Sequence, residues 1–116
     1  MKKNNILVGR GKIEWIAYNY ILSKHAEERI FTRTKKTRTL KERILKSIFA
    51  WKTYKDCICI ALDLYEYIVV YPSLKNDETN GKWLPLVVTY VNTKDENKTV
   101  VDKFIEHYNE FLKLEE

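Results

Sequence analysis

Glycine and proline are scarce, three and two in 116 residues, which leaves little room for long irregular connections or linkers. Cysteine is as sparse. Cys57 and Cys59 lie two apart, so on a strand both point to one face, a poor placement for a mutual disulfide. A Cys-x-Cys metal site would need further ligands, and His25 and His107 are remote in sequence. The expectation is two buried thiols with no metal and no cofactor. No run approaches the roughly 20 apolar residues that span a bilayer. Gly9, Arg10, Lys12 and Glu14 interrupt any signal-peptide core behind Met1-Lys2-Lys3, so a cytoplasmic protein with no membrane partner is expected. Phosphate-binding glycine loops, dinucleotide fingerprints, HExxH and GxSxG are all missing, and the acidic residues are scattered. Nucleotide-dependent enzymes, the familiar hydrolases and carboxylate-rich metal nucleases are therefore poor matches.

What remains is a chain of single-domain size, 1–116, with a marked charge asymmetry. Residues 24–55 carry eleven Lys or Arg against Glu27, Glu28 and Glu42, a local excess of eight, while the rest of the chain is net acidic by three. A segment of this kind attracts polyanions, phosphate backbones above all.

The apolar periodicity reads as an α+β domain: an antiparallel sheet of three or four strands packed by two N-terminal helices and a C-terminal helix. Asn4 to Val8 is a candidate short strand. Ile13, Ile16, Ala17, Tyr20 and Ile21 follow helical spacing, and Ser23 is placed to cap a helix ending near Phe31. Residues 12–31 are either one helix, or a strand followed by a helix from Ser23. Thr39-Leu-Lys-Glu42 is a capping box opening a helix whose apolar face is Leu40, Ile44, Leu45, Ile48 and Trp51. Strands are expected at 57–62, 67–71 (ended by Pro72) and 84–92, with a turn at Asn80-Gly81. A last helix starts at Thr99. Ile44, Ile48, Trp51, Ile60, Val69, Val88, Phe104 and Tyr108 are the expected common core. Trp83, beside the polar 73–82 loop, is the aromatic expected at the surface.

Within Ser23-Lys-His-Ala-Glu-Glu-Arg-Ile30, His25 and Arg29 are one helical turn apart on one face. A group titrating near neutrality beside a fixed cation suits metal-free phosphodiester cleavage: the histidine moves a proton and the arginine stabilises phosphate charge. A solvated helix-start histidine and a surface arginine are the plainer alternative. This run resembles the opening helix of small toxin-like domains of the barnase–EndoU–RelE ribonuclease type, which is followed by a second basic helix and a curved antiparallel sheet. The local likeness covers about eight residues and the element order about 90; the long 72–82 loop and the C-terminal helix depart from that pattern. The resemblance implies a nucleic-acid cleft lined by His25 and Arg29, with Tyr90 or Thr89 of the last strand as a further polar group. For Tyr90 the plainer reading is an aromatic packed on the sheet.

Arg33, Lys35, Lys36, Arg38 and Lys41, interleaved with threonines, are the expected contacts to RNA or another polyanion, made without reading bases. Three functions follow: a metal-independent endoribonuclease, a noncatalytic RNA-binding protein, or an interaction module that docks on an acidic protein, such as an inhibitor of a nucleic-acid-handling enzyme. The small size and lack of motifs are in keeping with a phage or mobile-element protein.

Overall fold

The computed structural model describes residues 6–33, 40–53 and 55–114, the side chains of 31–33 and 78 excepted. Helix α1 (Arg10–Asn19) turns Ile13, Ile16 and Ala17 inward at helical spacing and stops where Tyr20 goes extended. A two-residue strand, β1 (Ile21–Leu22), follows, and then α2 (Lys24–Arg33). Of the two readings of residues 12–31, neither holds whole: a helix precedes the strand, and the second helix does start after Ser23. The Ser23 hydroxyl accepts from the Ala26 amide at 3.0 Å, the N-cap bond read from the sequence.

Helix α3 (Leu40–Leu45) is shorter than its apolar pattern promised, and Phe49–Lys52 is a strand, β2. Two forces end the helix. The Arg10 guanidinium donates to the carbonyls of Leu45 (2.6 Å) and Ser47 (2.9 Å), placing a cation on the C-terminal groups. Beyond them, Phe-Ala-Trp-Lys pairs antiparallel with β3 (Ile58–Ala61), Phe49 opposite Ala61 and Trp51 opposite Cys59. Ile48, expected in the core, is consequently 57% exposed. Its helical spacing from Ile44 is a coincidence of composition.

Strand β4 (Glu66–Leu74) does not end at Pro72. It continues through a register slip between Tyr71 and Leu74, the irregularity that a residue without an N–H tolerates. Strand β5 (Leu84–Asn92) pairs with β4 but skips Val88, since Val69 faces Thr89 and Val70 faces Val87. The bulge reverses parity, so that Val87 and Tyr90 face the same side. Between these strands, Asn80 and Gly81 take the left-handed backbone of the expected turn, and Trp83 is exposed. Helix α4 (Val100–Leu114) opens on a reciprocal Thr99–Asp102 cap.

The domain is α+β, but its sheet is mixed and five-stranded, in the order β1-β5-β4-β3-β2, with β1 parallel to β5. The expected antiparallel sheet of three or four strands missed β1, too short for any periodicity to reveal, and β2, which reads as helix. The helices also divide between the two faces. Ile13, Ile16, Ala26, Ile44, Ile60, Ile68, Val87 and Tyr90 fill one side, under α1, α2 and α3. Trp51, Cys59, Tyr67 and Val100 fill the other with Phe49, Phe104 and Tyr108. The expected common core is therefore two cores separated by the sheet. Residues 6–8 brace the β2 edge: the Val8 amide donates to the Ala50 carbonyl and the Lys52 amide to the Ile6 carbonyl. No helix among the described residues is long and apolar enough to cross a membrane.

Candidate functional site

Helix α2 lies along the free edge of β5, past the point where β1 runs out. An uncovered strand edge presents unpaired carbonyls, and α2 supplies donors to them. The Ser23 hydroxyl donates to the Val88 carbonyl at 2.9 Å and Arg29 Nε donates to the Tyr90 carbonyl at 3.0 Å. Arg29 and Tyr90 are thus brought together, through the Tyr90 main chain. The Tyr90 side chain is fully buried.

Beneath it lies a polar group that sequence reasoning missed. Arg43 of α3 donates to Glu66 at 2.5 Å and to Asp63 at 3.2 Å, and Asn92 reaches the other Glu66 oxygen at 3.5 Å. The Tyr90 hydroxyl sits beside Arg43 and Glu66, near enough to act on their ionisation, yet completes no hydrogen bond of good geometry. Burial, followed by the proximity of Glu66, pushes its pKa up to about 12. Burial disfavours the charged form of Glu66, but Tyr90 and Arg43 outweigh it and hold that carboxyl below its ordinary value. Arg43 lies off the apolar face of its helix, and nothing in the local pattern distinguishes it from Lys41 or Lys46.

His25 is exposed on α2, one turn from the half-buried Arg29. Neither of two surface cavities, of about 480 and 420 Å³, is lined by His25, Arg29 or Tyr90. Of the expected polyanion contacts, Lys41 is exposed on α3 and Arg33 closes α2, while Lys35, Lys36 and Arg38 lie outside the described residues. Lys41 places its ammonium 4.2 Å from the ring centroid of Tyr18, which is 60% exposed on the outer side of α1. Trp15, one turn earlier, is 43% exposed. Lys41, in the first turn of α3, therefore lies directly beside a solvent-facing aromatic. Tyr18 stands three residues from Trp15 and off the buried stripe of α1, a spacing that was the available signal for it. Among the described residues, no three His, Cys, Asp or Glu side chains group as metal ligands.

No family model, curated protein or solved structure matches this chain.

Proposed function

We propose that this chain is a single-stranded RNA-binding domain, its contact surface formed by Tyr18 and Lys41 with the basic residues 33–38 that lead into them. The observation that carries the reading is the Lys41 ammonium over the exposed Tyr18 ring at 4.2 Å. A solvent-facing aromatic offers a base a stacking surface worth about 1–3 kcal/mol, and the adjoining cations take the phosphates. The combination binds RNA with little base preference.

Fluorescence anisotropy with a labelled single-stranded RNA, in excess chelator, tests this. Wild type binds in a salt-sensitive manner, and Tyr18→Ala weakens binding about tenfold or more. Unchanged affinity in Tyr18→Ala overturns the reading. Loss of RNA binding altogether, with capture of an acidic protein instead, would favour the interaction module.

A second reading, metal-independent RNA cleavage of the toxin-like kind, is favoured by the exposed His25 one turn from Arg29. In that reading His25 moves the proton, Arg29 stabilises the phosphate, and Tyr90 positions Arg29 through its carbonyl rather than touching substrate. Shortening of the same labelled RNA in chelator, abolished by His25→Ala, is the result it requires.

A further inference from the structure

The larger cavity, about 480 Å³, opens at the end of the sheet where β2 passes into β3 and where α4 stops. Small-molecule sites commonly measure roughly 300–1,000 Å³. Its walls are Ile58, Pro72, Phe111 and Leu114, with Thr53 and the buried Cys57 between them. The gap has a structural origin. Phe49, Trp51, Phe104 and Tyr108 interlock as a stacked and edge-on aromatic set under the first turns of α4. Phe111, one turn on from Tyr108, is the next aromatic and faces the opening. Beyond it Leu114 is 64% exposed, an apolar side chain at the rim.

Three charged residues border the space: Lys12 of α1, Lys52 at the end of β2, and Asp56. Neither lysine makes an ion pair or a side-chain hydrogen bond among the described residues. Among the described lining residues Asp56 offsets one of them, leaving an excess of a single positive charge. Apolar walls with one surplus cation suit an amphiphilic monoanion. A doubly charged phosphate would need more charge, and no arginine is among the described residues that line the rim.

We propose that this cavity binds a small amphiphilic carboxylate, its apolar body against Ile58, Pro72, Phe111 and Leu114 and its carboxylate against Lys12 and Lys52. The site is separate from the Tyr18–Lys41 surface.

Octanoate, a soluble probe of this class, tests it by titration of the isotope-labelled protein followed in amide NMR spectra. Saturable binding is expected, with a Kd on the order of 0.1–1 mM for a ligand of so few atoms, and with the largest shifts at Cys57, Ile58, Phe111 and Leu114. Octylammonium, with the same chain and the opposite charge, should bind at least about threefold more weakly, as should octanoate to the Lys12→Gln, Lys52→Gln double variant. Leu114→Glu, at an exposed position that folding tolerates, should also weaken octanoate. Absence of saturable binding, shifts confined to another surface, or equal affinity for the two head groups overturns the proposal. So does wild-type affinity in the double variant.

Discussion

Arg29 Nε donates to the main-chain carbonyl of Tyr90 at 3.0 Å, so the helix-borne arginine closes an open sheet edge. This ties α2 to β5 on the edge opposite β4, beyond the last residue that β1 pairs. Arg29→Ala leaves that carbonyl without its donor and should lower unfolding free energy by about 1–3 kcal/mol, measured by urea denaturation. Wild-type stability in the variant would mean that water replaces the guanidinium at no cost. The same experiment guards the ribonuclease reading, because lost activity in an unstable variant says nothing about chemistry.

Tyr90→Phe separates packing from chemistry at the other partner. The hydroxyl is buried and makes no well-formed hydrogen bond, so its removal should change stability by less than about 1 kcal/mol, in either direction. Any RNA cleavage should survive, since the ring is sealed from solvent. A hundredfold loss of cleavage in a stable Tyr90→Phe protein would place the hydroxyl at the reacting atoms after all.

Ile44 and Ile48 share helical spacing but not environment. Ile44 is fully buried and Ile48 is 57% exposed. Ile44→Ala should cost about 2–5 kcal/mol, whereas Ile48→Ala should cost under about 1 kcal/mol. Thermal or urea unfolding of the two variants decides it; equal losses would require α3 to continue through Ile48.

These two residues mark where the sequence could and could not be read. Signals held in neighbouring residues came through: Ser23 as a cap, Thr99 with Asp102, the Asn80-Gly81 turn, and strands β3 and β5 from their β-branched runs. Features set by distant partners did not. Phe49–Lys52 is a strand because β3 lies beside it and Arg10, from another helix, ends α3. Tyr90 faces inward with Val87 only because Val88 bulges, and no local pattern announces a bulge. For the candidate site, the helical spacing of His25 and Arg29 was legible, while the Arg43–Glu66 pair joins residues 23 apart and left no trace in either element.

Acid should loosen the α4 face first. Trp51 Nε1 donates to His107 Nδ1 at 2.9 Å, a bond that needs this nitrogen unprotonated. Burial lowers the His107 pKa from its ordinary 6.5, so the folded protein binds fewer protons there than the unfolded chain. The contribution is complete above that ordinary value and is lost as pH falls through the lower folded one. Glu66, also depressed, adds a second loss as pH drops below the usual carboxylate range. Urea midpoints should therefore fall from pH 7.5 to 5.5, and His107→Phe should flatten that interval. A wild-type profile already flat there would mean that His107 takes up its proton alike in the folded and unfolded chains, so that neither its burial nor its bond to Trp51 opposes protonation.

The proposed RNA surface combines two physically different contributions, and salt separates them. Phosphate contacts release counterions, so each contributes about 0.7 to the slope of log K against log salt for a single strand. Changing Lys35, Lys36 and Arg38 to Gln should lower that slope by about 2 and weaken binding most at low salt. Stacking releases few ions, so Tyr18→Leu should weaken binding by a similar factor at every salt concentration while the slope stays as in wild type. Lys41→Gln should do both, because this lysine carries a charge and also sits over the Tyr18 ring. Salt titrations by anisotropy on the four proteins give the comparison directly. A Tyr18→Leu variant that lowers the slope as the triple-Gln variant does would assign Tyr18 to orienting cations rather than to stacking. Wild-type slope and affinity in the triple-Gln variant would remove the basic segment from the interface, and with it the reading of this chain as an RNA-binding domain.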